Sequence, residues 1–161
     1  MELELTNKIL ENNTYRSRLE MLELLEKDRI FCCHGIEHFL SVARIALIIC
    51  RERGIEASPD LIYSASLLHD IGRIEEYTQN VSHEKAGIRI ASQILDEVSC
   101  DSSTKKQIIS IIGSHGHGSS KKDSLENVFF TADKKSRNCF MCSARSECNW
   151  DKDKMNMKIE V

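Results

Sequence analysis

The sequence predicts an all-α fold, a single-domain bundle of about six to seven helices. Three observations carry this expectation. The 161 residues include one proline and seven glycines, so little interrupts long helices. Apolar residues recur at helical spacing along most of the chain. No segment alternates apolar and polar residues at period two, so no core sheet is expected. With 41% hydrophobic but only 6% aromatic residues, aliphatic side chains must build most of the core.

The elements follow in order. Leu19, Leu22 and Leu25, with Met21 nearby, share helical spacing after Thr14, which can cap. From about Gly35 to Arg53 a stripe of Phe39, Val42, Ile45, Ala46 and Ile49 predicts a helix, with Gly54 as its C-cap. Ser58-Pro59-Asp60 marks a helix start: serine caps, proline takes the first helical position and an acid follows in the first turn. That helix runs through Leu61, Ala65 and Leu68 to His69-Asp70, and Gly72 breaks it. After a polar turn, Ser82 caps a helix with Ile88, Ala91, Ile94 and Leu95 on one face. Ser102 or Ser103 caps the next, which passes Ile108, Ile111 and Ile112 to reach His115. Residues 113–122 read as a flexible loop, and Asp123 or Ser124 opens a last helix with Leu125, Val128, Phe129 and Ala132 inward.

Composition excludes some functions. The net charge is −3, which argues against binding nucleic acid through bulk charge. The longest apolar run, Ile45 to Cys50, is far too short to span a membrane. The first residues, Met1 to Leu5, lack a basic stretch followed by an apolar one, so no signal peptide is expected and the expected location is cytoplasmic.

His69-Asp70 ends an apolar helix, and burying that acid without a partner is costly. A cation removes the cost, and imidazole with carboxylate is a normal ligand set for Mn, Fe, Ni or Zn. Other residues stand in a matching order: the segment from His38 to Ala46, Leu67-Leu-His-Asp-Ile-Gly72, Ser82-His-Glu-Lys-Ala-Gly87, Ile112-Gly-Ser-His115 and Thr131-Ala-Asp-Lys134. Together they resemble the HD-domain superfamily of metal-dependent phosphohydrolases, over residues 30–137. Residues 1–29 are then an N-terminal helical segment, and 138–161 a cysteine-containing tail packed on the core.

The resemblance implies a first metal held by His38, His69, Asp70 and Asp133. It implies a second through His83 and His115 in members that bind two, with Asp70 bridging. In a one-metal enzyme these two histidines would serve the phosphoryl group or proton transfer instead. His34 competes with His38 for the first position. The family pattern places the ligand four residues before a helix valine, here Val42, which selects His38. His34 is then left to bind substrate, support the ligands or cap the helix. The implied activity is hydrolysis of a phosphomonoester, phosphodiester or phosphoanhydride by a metal-activated water. The expected partner is a small, nucleotide-like phosphate compound, and self-association is left open. Catalysis falls to Asp70, His83, His115, Arg73 and Lys134, with Arg73 and Lys85 as further phosphate contacts. Two other classes compete: a diiron oxygenase on the same ligands, and a non-catalytic metal or redox sensor.

Seven cysteines are many for a reducing compartment. Cys139, Cys142 and Cys148 crowd together and fall one short of the usual four ligands. Cys32 lies six residues before His38, and Cys139 six after Asp133. If those two helices run antiparallel, both cysteines sit on one side of the metal, roughly 9 Å along each axis. Cys32 or Cys33 can complete the set, for a [4Fe–4S] cluster or a structural zinc. The tail also resembles one found in some HD-domain proteins of anaerobic bacteria.

Overall fold

The computed structural model describes residues 2–160. Among them are eight α-helices and three 3₁₀ turns, with no strand. The helices are α1 (Glu4–Glu11), α2 (Asn13–Leu25), α3 (Ile36–Arg53), α4 (Pro59–Leu68), α5 (Arg73–Gln79), α6 (His83–Glu97), α7 (Ser102–Ser114) and α8 (Leu125–Lys135). The all-helical expectation therefore holds. The count exceeds it for two reasons. Asn12 splits the N-terminal segment, and the polar turn after Gly72 is a short helix.

The caps explain most boundaries. Ser58 Oγ accepts from the Leu61 N–H with Pro59 at the first position, as expected. Gly54 ends α3 in the left-handed region at φ 65°. Ser124 caps α8 by accepting from Asn127 N–H. Two caps differ from expectation. Asn12, not Thr14, accepts from Tyr15 N–H and starts α2. Asp101, not a serine, accepts from Ser103 and Thr104 N–H and starts α7. An ionised acid facing the positive helix end outcompetes a neutral hydroxyl one residue on. Ser82 precedes α6 but makes no side-chain cap bond. Gly113 belongs to α7, so the expected loop begins at His115.

Helix α4 is the axis of the molecule. Leu61, Ile62, Ala65, Leu67 and Leu68 are all buried, and α1, α3 and α7 pack around the helix. Its small polar residues face neighbours that satisfy them. Ser66 Oγ donates to the Phe39 carbonyl at 2.6 Å, and Ser64 Oγ meets Thr6 Oγ1 at 3.1 Å. Helix α8 packs on α3 and α7, and α6 on α5 and α7. On α2 the inward residues are Tyr15, Leu19 and Leu22, whereas Met21 and Leu25 are exposed. The short α5 and α1 cover α2, so a narrower stripe is buried than the leucine spacing predicts. No helix is long and apolar enough to cross a membrane among the described residues.

Candidate metal centre

His69 and Asp70 follow directly on the last turn of α4, where the axis helix ends inside the bundle. Both are buried. A helix end leaves carbonyls without intrahelical partners, and this fold uses one to orient an imidazole. His69 Nδ1–H donates to the Ser66 carbonyl at 2.7 Å. The end of α7 repeats the device: His115 Nδ1–H donates to the Ile112 carbonyl at 2.7 Å. A carbonyl only accepts, so both rings carry their proton on Nδ1 and turn the Nε2 lone pair toward the centre.

The other histidines are set alike by different partners. His83, first in α6, donates from Nδ1 to Glu76 Oε1 at 2.8 Å. His34 donates from Nδ1 to Glu26 Oε1 at 2.5 Å, and its backbone N–H donates to Oε2 at 2.6 Å. His38, in the first turn of α3, has Ser136 Oγ at 3.2 Å from Nδ1. That hydroxyl already donates to the Asp133 carbonyl at 2.7 Å, so it accepts from the ring.

All the Nε2 atoms then face carboxylates. His69 Nε2 lies 2.9 Å from Asp70 Oδ2. His38 Nε2 lies 3.6 Å from the same oxygen and 3.3 Å from Asp133 Oδ1. His34 Nε2 stands 4.0 Å from Asp70 Oδ2. On the other oxygen, His115 Nε2 is 3.5 Å and His83 Nε2 4.0 Å from Asp70 Oδ1. The two Nε2 atoms of His83 and His115 are 3.2 Å apart. His69 Nε2 is buried with no hydrogen-bond partner despite its nearness to Asp70. Lone pairs aimed at carboxylate oxygens repel unless a cation sits between them, so the donor set fits a divalent metal. Two groups have their ligand atoms within 4.8 Å of one another: His38, His69, Asp70 and Asp133, and then Asp70, His83 and His115.

Charges keep the groups in their ligand forms. Burial opposes ionisation of Asp70, but the positive charge that the imidazoles carry when no cation is bound, His69 foremost, outweighs it and holds the carboxyl well below its ordinary range. Asp133 is likewise held low against burial, by a proton shared with His38 when no cation is bound and by Arg137. Burial lowers His34, against the pull of Glu26, and it lowers His83 with help from Arg73.

A close backbone approach brings His83 in. A Cβ on Gly72 would meet the His83 carbonyl at 2.1 Å and Gly87 N at 2.4 Å. Only glycine lets the turn after Asp70 lie against the first turn of α6. From that turn Arg73 Nε donates to Asp70 Oδ1 at 2.9 Å, and Nη1 donates to Glu76 at 2.7 Å. Lys134 Nζ reaches Asp133 Oδ2 at 2.7 Å. Lys85 is exposed on α6 and enters none of the ion pairs around the centre among the described residues.

Four residues outside the motifs also belong here: Glu26, Glu76, Ser136 and Arg137. Arg137 Nη2 stands 3.1 Å from His38 Nε2 and 3.4 Å from Asp133 Oδ1. Its position, four residues after Asp133 on a helical spacing, was the one signal that could have found it. The centre opens into a cavity of about 750 Å³ whose wall includes His34, Arg73, Asp133, Lys134 and Arg137. Cys32, Cys139, Cys142 and Cys148 line the same cavity.

Comparison with known proteins places these motifs. The HD domain family matches residues 35–138. An uncharacterized protein of Clostridium beijerinckii is 37% identical over 155 residues, covering 95% of this chain and 96% of that one. Ribonuclease Y of Clostridium kluyveri is 28% identical over 125 residues, and that of Acetivibrio thermocellus 27% over 129. These matches cover 76% and 78% of this chain but only 22% of each ribonuclease. No solved structure matches. On the family match, which spans more than half of its length, the chain belongs to the HD-domain family.

Proposed function

We propose that this chain is a metal-dependent phosphohydrolase acting on a small, nucleotide-like phosphate compound. The observation that carries the reading is the convergence of His38, His69, His83 and His115 Nε2 atoms on the two oxygens of Asp70. Oδ2 faces the set completed by Asp133, which would hold a first ion, and Oδ1 faces His83 and His115, which would hold a second. When bound, Mn, Fe, Ni or Zn supplies a Lewis acid for a phosphoryl oxygen and an acidified water.

The chain's own residues supply the rest. Arg73, Lys134 and Arg137 stand on the cavity wall where an anion meets the centre, and their guanidinium and ammonium groups suit phosphoryl oxygens. Such a cationic wall in a chain of net charge −3 selects an anionic substrate locally rather than through a charged surface. His34, fixed by Glu26 and facing the cavity through Nε2, is placed to move a proton at the leaving-group oxygen. The ribonucleases named above act, by their name, on RNA, in which the bond at issue is also a phosphate ester. A cavity of about 750 Å³ matches a small molecule better than a polymer.

The test is phosphate release from a panel of nucleotides and simple phosphate esters with added Mn²⁺ or Ni²⁺. Release by the wild type that falls to background in Asp70→Ala is expected. Oxygen consumption without phosphate release overturns the reading in favour of an oxygenase, and metal binding with neither activity overturns it in favour of a sensor.

A further inference from the structure

The cysteines of the tail are used by nothing in the hydrolytic reading, yet the fold gathers them. After α8 the chain makes a 3₁₀ turn at Cys139–Met141, and Cys142 N–H donates back to the Cys139 carbonyl at 3.2 Å. A second 3₁₀ turn, Arg145–Glu147, delivers Cys148, whose Sγ accepts from Trp150 N–H at 3.5 Å. The tail is then tied back onto α8. Asn156 Nδ2 donates to the Lys134 carbonyl at 2.6 Å and to the Arg137 carbonyl at 2.9 Å. Cys32 reaches the same cavity from the segment before α3. Two arginines hold that segment: Arg29 Nε donates to the Cys32 carbonyl at 2.9 Å, and Arg137 Nη1 to the Cys33 carbonyl at 3.0 Å.

We propose that Cys32, Cys139, Cys142 and Cys148 form a second inorganic site, which holds an iron–sulfur cluster of the [4Fe–4S] type. All four line one cavity wall. The spacing favours a cluster over zinc. Tetrahedral zinc at 2.3 Å from each sulfur needs sulfurs about 3.8 Å apart. Among the described residues, no three of these sulfurs lie within 4.8 Å of one another. A cubane asks for the wider arrangement, because each thiolate binds a different iron. Arg29, Arg137 and Arg145 on the same wall offset the charge of four thiolates. Cys33, Cys50 and Cys100 are not on that wall. The site shares its cavity with His34, Arg73 and Asp133, so the cluster forms part of the surface a substrate meets.

The test uses the full chain purified without oxygen, then loaded with equal ferrous and ferric iron and with sulfide. About four sulfides per chain are expected, with about four irons in Asp70→Ala, whose histidine centre is disabled, together with a broad visible absorption. Asp70→Ala should keep the sulfide and the colour, which separates this site from the histidine centre. Cys139→Ser and Cys142→Ser should lose both, while their far-UV circular dichroism and Mn²⁺ binding at the histidine centre stay those of the wild type; Cys100→Ser should change nothing. One zinc per chain without sulfide, no iron or sulfide retained by the wild type, or sulfide uptake unchanged in both cysteine variants would overturn the assignment.

Discussion

Each histidine of the centre is oriented by what its Nδ1 holds, and these anchors differ in strength. Glu26 and Glu76 are charged acceptors, the Ser66 and Ile112 carbonyls are fixed by helix ends, and Ser136 is a neutral hydroxyl at 3.2 Å from His38. The weakest anchor makes the sharpest test. Ser136→Ala leaves His38 free to rotate or change tautomer. Affinity for the first ion should fall by about 10- to 100-fold, read by calorimetric titration with Mn²⁺, with the helical circular dichroism intact. Unchanged affinity would mean that packing alone orients the ring. At this scale the candidate ligand set was legible, because His38, His69-Asp70 and Asp133 stand at helix positions that a motif can record, and the fold brings them together. The anchors were not. Glu26 and His34 lie on one loop and helix end with no periodic relation, and Ser136 meets His38 only because α8 packs on α3.

The helices hold the centre by docking through their ends. Asp60, in the first turn of α4, accepts from Leu5 N–H at 2.9 Å, Thr6 N–H at 2.8 Å and Thr6 Oγ1 at 2.6 Å. It thereby caps α1 from another helix, a role its own first-turn position did not reveal. Asp60→Ala should cost about 1–2 kcal/mol, measured by urea unfolding at pH 7. Burial opposes its ionisation, but the Thr6 and Leu5 bonds prevail and lower its pKa from the ordinary 3.8. The contribution is therefore complete above that value and is lost as pH falls through the lower folded one. The gap between wild type and variant should shrink below about pH 4 and stay constant from pH 6 to 8. Helix α5 shows the opposite limit of legibility. Its sequence, Arg73 to Gln79, reads as a polar turn because its charged residues serve the centre: Arg73 bonds Asp70, and Glu76 bonds His83. Tyr77 donates to Glu26 at 2.6 Å, so even its aromatic residue is spent on an anchor.

The molecule as a whole closes its core around the carboxylates of the candidate centre, Asp70 and Asp133, whose burial is costly without compensating cations. Two guanidiniums supply part of that compensation: Arg73 on Asp70 Oδ1, and Arg137 on Asp133 Oδ1 and His38 Nε2. A metal in the first set does the same work at closer range, and it binds the folded chain far better than the unfolded one. At an Mn²⁺ concentration of about 100 times Kd, the added stability is about 2.7 kcal/mol. For a chain of this size that raises Tm by about 5–11 °C, reversed by a chelator and absent in Asp70→Ala. Arg137→Gln separates the two sources of charge. Without metal it leaves Asp133 less compensated, so its Tm should fall below that of the wild type. With metal the ion meets both carboxylates and no longer competes with a guanidinium for His38, so the two proteins should melt closer together. The metal-induced rise is therefore larger in the variant than in the wild type, by thermal unfolding with and without Mn²⁺. An equal rise in both would show that Arg137 and the ion do not share the same lone pairs.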